Sequence, residues 1–144
     1  MRSLAHSWSR QQRQRAQALL ETAITLPLML VLLLGFLAVL VRVEAQIELD
    51  TATSLAAAAA VTAPVGSSLS SDYATRTWAG TLHQSSYLRP TRLDGCGTYQ
   101  LDQAVTCRGV ATLDYRQTPM ALAVPLTLTI DSTATARGSR YRSR

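Results

Sequence analysis

Lysine and asparagine do not occur anywhere in the 144 residues, phenylalanine occurs once, and there are only two cysteines and two histidines. Without lysine there is no Schiff-base former, no lysine general base and no Walker-type phosphate loop. Gly-x-Ser-x-Gly and dinucleotide-binding glycine patterns are absent as well. The acids toward the C-terminus, Asp72, Asp94, Asp102, Asp114 and Asp131, are dispersed and share no motif spacing. The chain is therefore read as a non-enzyme that needs no cofactor. All 14 basic residues are arginine, set against 9 acids. Although 47% of residues are hydrophobic, the mean hydropathy is only +0.09, because one very apolar stretch is averaged with a polar remainder. With about 40 residues committed to that stretch and its flanks, the rest suffices for one small domain and no large core.

Residues 22–41 form a run of 20 without a charge, of which 16 are Ala, Val, Ile, Leu, Met or Phe. As a helix this run is about 30 Å long, the thickness of a bilayer core. Before it stand Arg2, Arg10, Arg13 and Arg15 and no acid within residues 1–16; after it, Arg42 is followed by Glu44, Glu48 and Asp50. The positive-inside rule then places the N-terminus in the cytoplasm and the chain beyond Arg42 outside. Val43-Glu44-Ala45 before Gln46 offers a small-residue pattern for signal peptidase. Against cleavage there, the run exceeds the usual signal core of about 7–15 residues, and charges crowd the cut. The helix is expected to stay as an anchor in membrane lipid.

The approach to the apolar run reads Arg13-Gln14-Arg15-Ala16-Gln17-Ala18-Leu19-Leu20-Glu21-Thr22, then Pro27 and a Leu-rich stretch over residues 28–34. A carboxylate at the edge of hydrocarbon costs free energy unless it is neutralised or reaches the interface, so Glu21 invites a functional reading. The alternative is an acid in the first turn of the helix, where it complements the macrodipole by a few tenths of a kcal/mol. Composition leaves the two readings even.

In order and spacing, Arg15, Ala16, Gln17, Ala18, Glu21, Pro27 and the Leu-rich stretch resemble the TadE-like family, the minor pseudopilins of tight-adherence (Tad, Flp-type) pilus systems. Ala16 stands where that family usually has Gly, and Thr22 where it has an aromatic residue. The resemblance implies cleavage by a prepilin peptidase between Ala16 and Gln17, leaving Glu21 as the fifth residue of the mature chain. It also implies that Glu21 is a subunit-assembly acid: the new α-amino group at Gln17 pairs with such a carboxylate on a neighbouring subunit, in surroundings that screen the attraction weakly. Expected partners are other Tad pilus subunits, inner-membrane platform proteins and the prepilin peptidase. A second, weaker similarity lies at the other end. There, residues 132–143 resemble the Thr/Ala/Val strand and Tyr-Arg terminus of actinobacterial members, leaving residues 65–108 uncovered.

Residues 43–61 lack Pro and Gly and are Ala-rich, so the helix is expected to continue to residue 61 as a stalk. One of its faces carries Val43, Ile47, Ser54, Ala57, Ala58 and Val61; another carries Glu44, Glu48 and Thr51. The first face suits close packing on other subunits or, equally, on the chain's own head. Residues 62–72, with Pro64, Gly66 and four serines, read as a linker. Residues 73–88 suggest a short helix or a loop. Cys96 and Cys107 enclose ten residues whose Thr, Tyr, Leu and Val flank a polar centre, a hairpin pattern. Outside the membrane a disulfide is favoured, worth roughly 3 kcal/mol. The rival metal site would have only His83 to complete a tetrahedral set. Ala111, Leu113 and Tyr115, then Leu122, Val124, Leu126, Leu128 and Ile130, alternate with the period of strands, and Pro125 points to a sheet edge. The arginines of residues 137–144, without a groove or stacked aromatics, are too few to argue for nucleic acid.

The resulting expectation is an α+β chain: a basic leader (1–16), a membrane helix and stalk (17–61), a linker (62–72), a strand-rich extracytoplasmic head (73–136) and a basic tail (137–144). Its action would be structural, in assembling a Tad-type pilus or secretion machine. The alternative is a stand-alone, signal-anchored envelope binding protein with no assembly role.

Overall fold

The computed structural model describes residues 4–100, 103–118, 121 and 126–138, with side chains from residue 16 onward. The architecture is α+β: a long apolar N-terminal helix followed by a small antiparallel sheet. Helix α1 is Leu4–Ala60, α2 is Leu69–Leu82, and the strands are β1 (Leu88–Asp94), β2 (Ala104–Asp114) and β3 (Thr127–Arg137). The chain divides into two compact units, Met1–Leu37 and Ala38–Arg144.

The described residues of the first unit, 4–37, are all helical. Pro27 lies inside it and removes one backbone donor. Thr22 and Thr25 turn their hydroxyls back onto the carbonyls of Ala18 (2.8 Å) and Glu21 (2.7 Å), the usual way a hydroxyl is satisfied on an apolar helix. Leu28, Met29, Leu32 and Phe36 are exposed.

In the second unit, α1 buries Ala45, Leu49, Ala52, Ala56 and Ala60, spaced at three, four and seven residues along one face. Small side chains on this face allow close approach. Beyond Ala60 the turn is closed by Thr62, whose hydroxyl donates to the Ala59 carbonyl at 2.6 Å. The chain then reverses through Pro64 and Gly66, the latter at φ +76°. Helix α2 begins at Leu69, so the last four residues of the segment read as a linker are helical. Its buried stripe is Ser70, Ala74, Trp78 and Leu82, one every four residues. That regularity was obscured in the sequence because two of the four residues are small and one is polar.

The sheet is a meander of order β1-β2-β3, antiparallel throughout. β2 is central and strictly alternating: Val105, Cys107, Ala111 and Leu113 face the helices and are buried. Gly109 takes the remaining inward place in this row. A Cβ there would stand 2.6 Å from Thr53 Oγ1 of α1 and 2.8 Å from Trp78 Nε1 of α2, so both helices press on the strand at this point. β3 is an edge strand that begins at Thr127, so Leu126 of the expected alternating strand precedes it, and Leu122, Val124 and Pro125 lie outside the described residues. Its inward residues include Ile130 and Ser132, while Thr129, Asp131, Thr133 and Thr135 face outward. β1 is the other edge and carries a register shift between Pro90 and Arg92. Pro90 at an edge forfeits no ladder bond that the sheet needs.

Cys96 and Cys107 form a disulfide with their Cα atoms 4.7 Å apart. The hairpin expected between the cysteines is not present among the described residues. The pairing strands are β1 and β2, and Cys96 lies two residues after β1 in their connection. Cys107 is already inside β2. Gly95, at φ +80°, makes the turn that brings Cys96 over β2; a Cβ on it would meet the Thr106 carbonyl at 2.7 Å. The metal alternative thus loses its thiolates, and among the described residues no group of three or more His, Cys, Asp or Glu is set to hold a metal ion.

Candidate functional site

Ala16, Gln17 and Glu21 all lie on α1 and are exposed. The helix starts at Leu4, so in the full-length chain Glu21 lies well inside it. The reading of Glu21 as a first-turn acid is corrected here: the macrodipole favours acids only within the first turn, and Glu21 is several turns further on. Cleavage after Ala16 would bring it near a helix start. Around Glu21 the helix offers a shallow groove lined by Ala18, Thr22, Thr25, Leu26 and Met29. One carboxylate is thus set in a stripe of small hydroxyl-bearing and apolar side chains. This surface can receive a cationic group and a second helix, because Thr22 and Thr25 leave little bulk beside the carboxylate.

Helix α1 is the only helix among the described residues long and apolar enough to cross a membrane. The apolar run and the alanine face of residues 45–60 thus belong to one element and have different surroundings. The former is bare, and the latter is covered by the chain's own sheet and α2. The face read from sequence as a packing surface is divided by the structure. Ala57 is buried in the core, whereas Val43, Ile47, Ser54 and Ala58 remain exposed. The buried face is centred on Leu49 and Ala56, rotated from the expected one.

The acids of the second unit have local partners that dispersal in sequence concealed. Asp94 accepts from Arg92 at 2.6 Å and Asp131 from Arg108 at 3.0 Å. Asp114 caps the 3-10 turn Tyr115–Gln117 through the Arg116 backbone N–H at 3.0 Å, and Asp72 lies in the first turn of α2. Asp102 is outside the described residues.

Sequence reasoning missed Glu48 and Tyr87. The Tyr87 hydroxyl donates to Glu48 Oε1 at 2.8 Å, and its pKa is pushed up to about 12 by burial, by that hydrogen bond and by the negative charges of Glu48 and Glu44. Glu48 Oε2 is enclosed and borders a hollow lined by Thr51, Thr81 and Gln84. Gln46 also escaped notice: its Nε2 donates to the Asp131 carbonyl at 3.0 Å and to Asp50 Oδ1 at 3.1 Å, so α1 supplies a donor to edge strand β3. Arg137 ends β3 and is exposed; Arg140, Arg142 and Arg144 of the basic tail lie outside the described residues.

No protein-family model, no curated protein and no solved structure matches this chain.

Proposed function

We propose that the protein is a structural or assembly component, a minor pseudopilin, of a Tad-type pilus or secretion machine. In this reading it is held in the cytoplasmic membrane by residues 22–41 before assembly, with the N-terminus inside and the sheet unit outside. The observation that carries it is the order Arg15-Ala16-Gln17-Ala18, then Glu21, at the threshold of a 20-residue uncharged run. That arrangement resembles a prepilin processing site. Two structural features support the reading. The run lies in an unbroken helix whose apolar side chains are bare, and Glu21 is exposed in a shallow groove beside Thr22 and Thr25. Removal of the leader would free an amine at Gln17, and its attraction to a carboxylate in a medium of low polarity would be weakly screened. Cleavage would therefore act as the assembly switch.

A stand-alone anchored envelope protein is the second reading, favoured by the alanine face of α1 being used by the chain's own sheet unit and not left open for subunits. Intact mass and N-terminal sequencing of the protein from its native membrane, with and without the prepilin peptidase, separates the two. A chain that begins at Gln17 only when the peptidase is present supports the pilin pathway. A chain that retains Met1, or loses Met1 alone, supports the anchored protein. A start at Gln46 would overturn both and make the helix a discarded signal. Co-purification with sheared surface fibres is the corresponding test of assembly.

A further inference from the structure

We propose that the second unit holds a membrane phospholipid in a groove between α1 and the start of β3, with acyl chain against Ala38, Val39 and Leu126 and phosphate on Arg42. The inference rests on the reading of residues 22–41 as a membrane span, and goes beyond it by assigning a lipid-binding surface to the folded unit.

The groove, about 330 Å³ in volume, is lined by Ala38, Val39 and Arg42 of α1, by Tyr115, by Leu126 just before β3, and by Thr127 and Leu128 at its start. Ala38 and Val39 belong to the uncharged run itself, and Arg42 is the first charge after it. The last four residues of the uncharged run, 38–41, therefore belong to the folded unit itself. Leu126 is 63% exposed, a large cost in water for a leucine placed beside a groove of the same character. Tyr115 is buried except for 6% of its surface, and its hydroxyl donates to the Ala38 carbonyl at 3.3 Å, which fixes this wall of the groove to the helix.

Charge selects the occupant. Arg42 is exposed, and no acid is among the groove's lining residues; the two ion pairs among the described residues use Arg92 and Arg108. A guanidinium at the rim of an apolar groove, where a hydrocarbon-length run ends, matches a phosphate joined to an acyl chain. It matches a second apolar protein surface poorly, because that would bury the charge without a partner.

The test uses the full-length chain reconstituted in vesicles of phosphatidylglycerol and phosphatidylcholine, with the photoreactive residue p-benzoylphenylalanine placed in turn at Leu33, Leu126 and Thr133. Lipid adducts are read by intact mass after illumination. Adducts at 33 and 126 and none at 133, on the outward face of the sheet, are expected, with the yield at 126 falling several-fold in an Arg42→Gln background. Adducts at 33 without adducts at 126, or a cross-link from 126 to a second copy of the chain, would overturn the groove while leaving the span intact. An unchanged yield at 126 in Arg42→Gln would overturn the role given to the arginine. No adduct at 33 would defeat the span itself, and with it the proposal.

Discussion

Tyr87 reaches back from the segment after α2 to donate its hydroxyl to Glu48 of α1 at 2.8 Å, a contact between residues 39 apart in sequence. Within the second unit it ties the residue just before β1 to α1. Burial and the carboxylates of Glu48 and Glu44 favour the neutral phenol in the fold, pushing its pKa from 10.0 to about 12. A group whose folded pKa is raised contributes stability that is complete below its unfolded pKa and is lost as pH climbs to the folded one. Stability from Tyr87 should thus be constant below pH 10 and decline between pH 10 and about 12. Absorbance titration of tyrosinate in detergent-solubilised protein, wild type against Tyr87→Phe, should show one late-titrating tyrosine missing in the variant. Tyr87→Phe should also destabilise by about 1–3 kcal/mol, because it leaves a carboxylate oxygen without its donor.

Gly109 and Gly80 should respond to alanine in opposite directions. At Gly109 the new methyl would meet Thr53 Oγ1 at 2.6 Å and Trp78 Nε1 at 2.8 Å, and overpacking of this kind costs about 1–3 kcal/mol. Gly80 is on α2 with nothing within 4 Å of a Cβ, so Gly80→Ala should gain up to about 1 kcal/mol of helix propensity. Thermal melts of the two full-length variants should bracket the wild type. Equal Tm values would contradict the packing of both helices on β2.

Reduction of the Cys96–Cys107 disulfide should lower stability by roughly 3 kcal/mol through release of the unfolded chain. Peptide mapping under non-reducing conditions should recover the two cysteines in one linked species. Finding both as free thiols in exported protein would remove this contribution.

Ala56 and Ala58 distinguish packing on the chain's own sheet unit from packing on a neighbour. Ala56 is fully buried, so Ala56→Leu should cost the isolated chain about 1–3 kcal/mol. Ala58 is exposed, and Ala58→Leu should leave the melt of the isolated chain unchanged. If the open face with Val43, Ile47 and Ser54 meets other subunits, the same change should reduce recovery of the protein in sheared fibres. Normal recovery would restrict the subunit contact to other faces.

What the sequence determined by itself is local. A 20-residue uncharged run placed in lipid satisfies its backbone as helix, and absence of Pro and Gly from residues 43–61 carries that helix on. Alternation predicts strand at Ala111 and Leu113, which lie in β2, while Tyr115 of the same series falls in the 3-10 turn; of Leu122, Val124, Leu126, Leu128 and Ile130, the last two lie in β3, Leu126 precedes it, and Leu122 and Val124 are outside the described residues. Edge strand β1 was not legible: Pro90 and three charges among its seven residues are tolerable only because its pairing needs are met on one side. α2 was half legible, since a stripe of Ser70, Ala74, Trp78 and Leu82 becomes apolar enough only when β2 covers it. Which face of α1 is buried was decided by tertiary structure. Alanine is compatible with any face, and the choice fell where Gly109 lets Thr53 and Trp78 approach the sheet. The Tyr87–Glu48 bond and the groove at Arg42 arise in the same way, from chain segments that only the packing of β2 against two helices brings together.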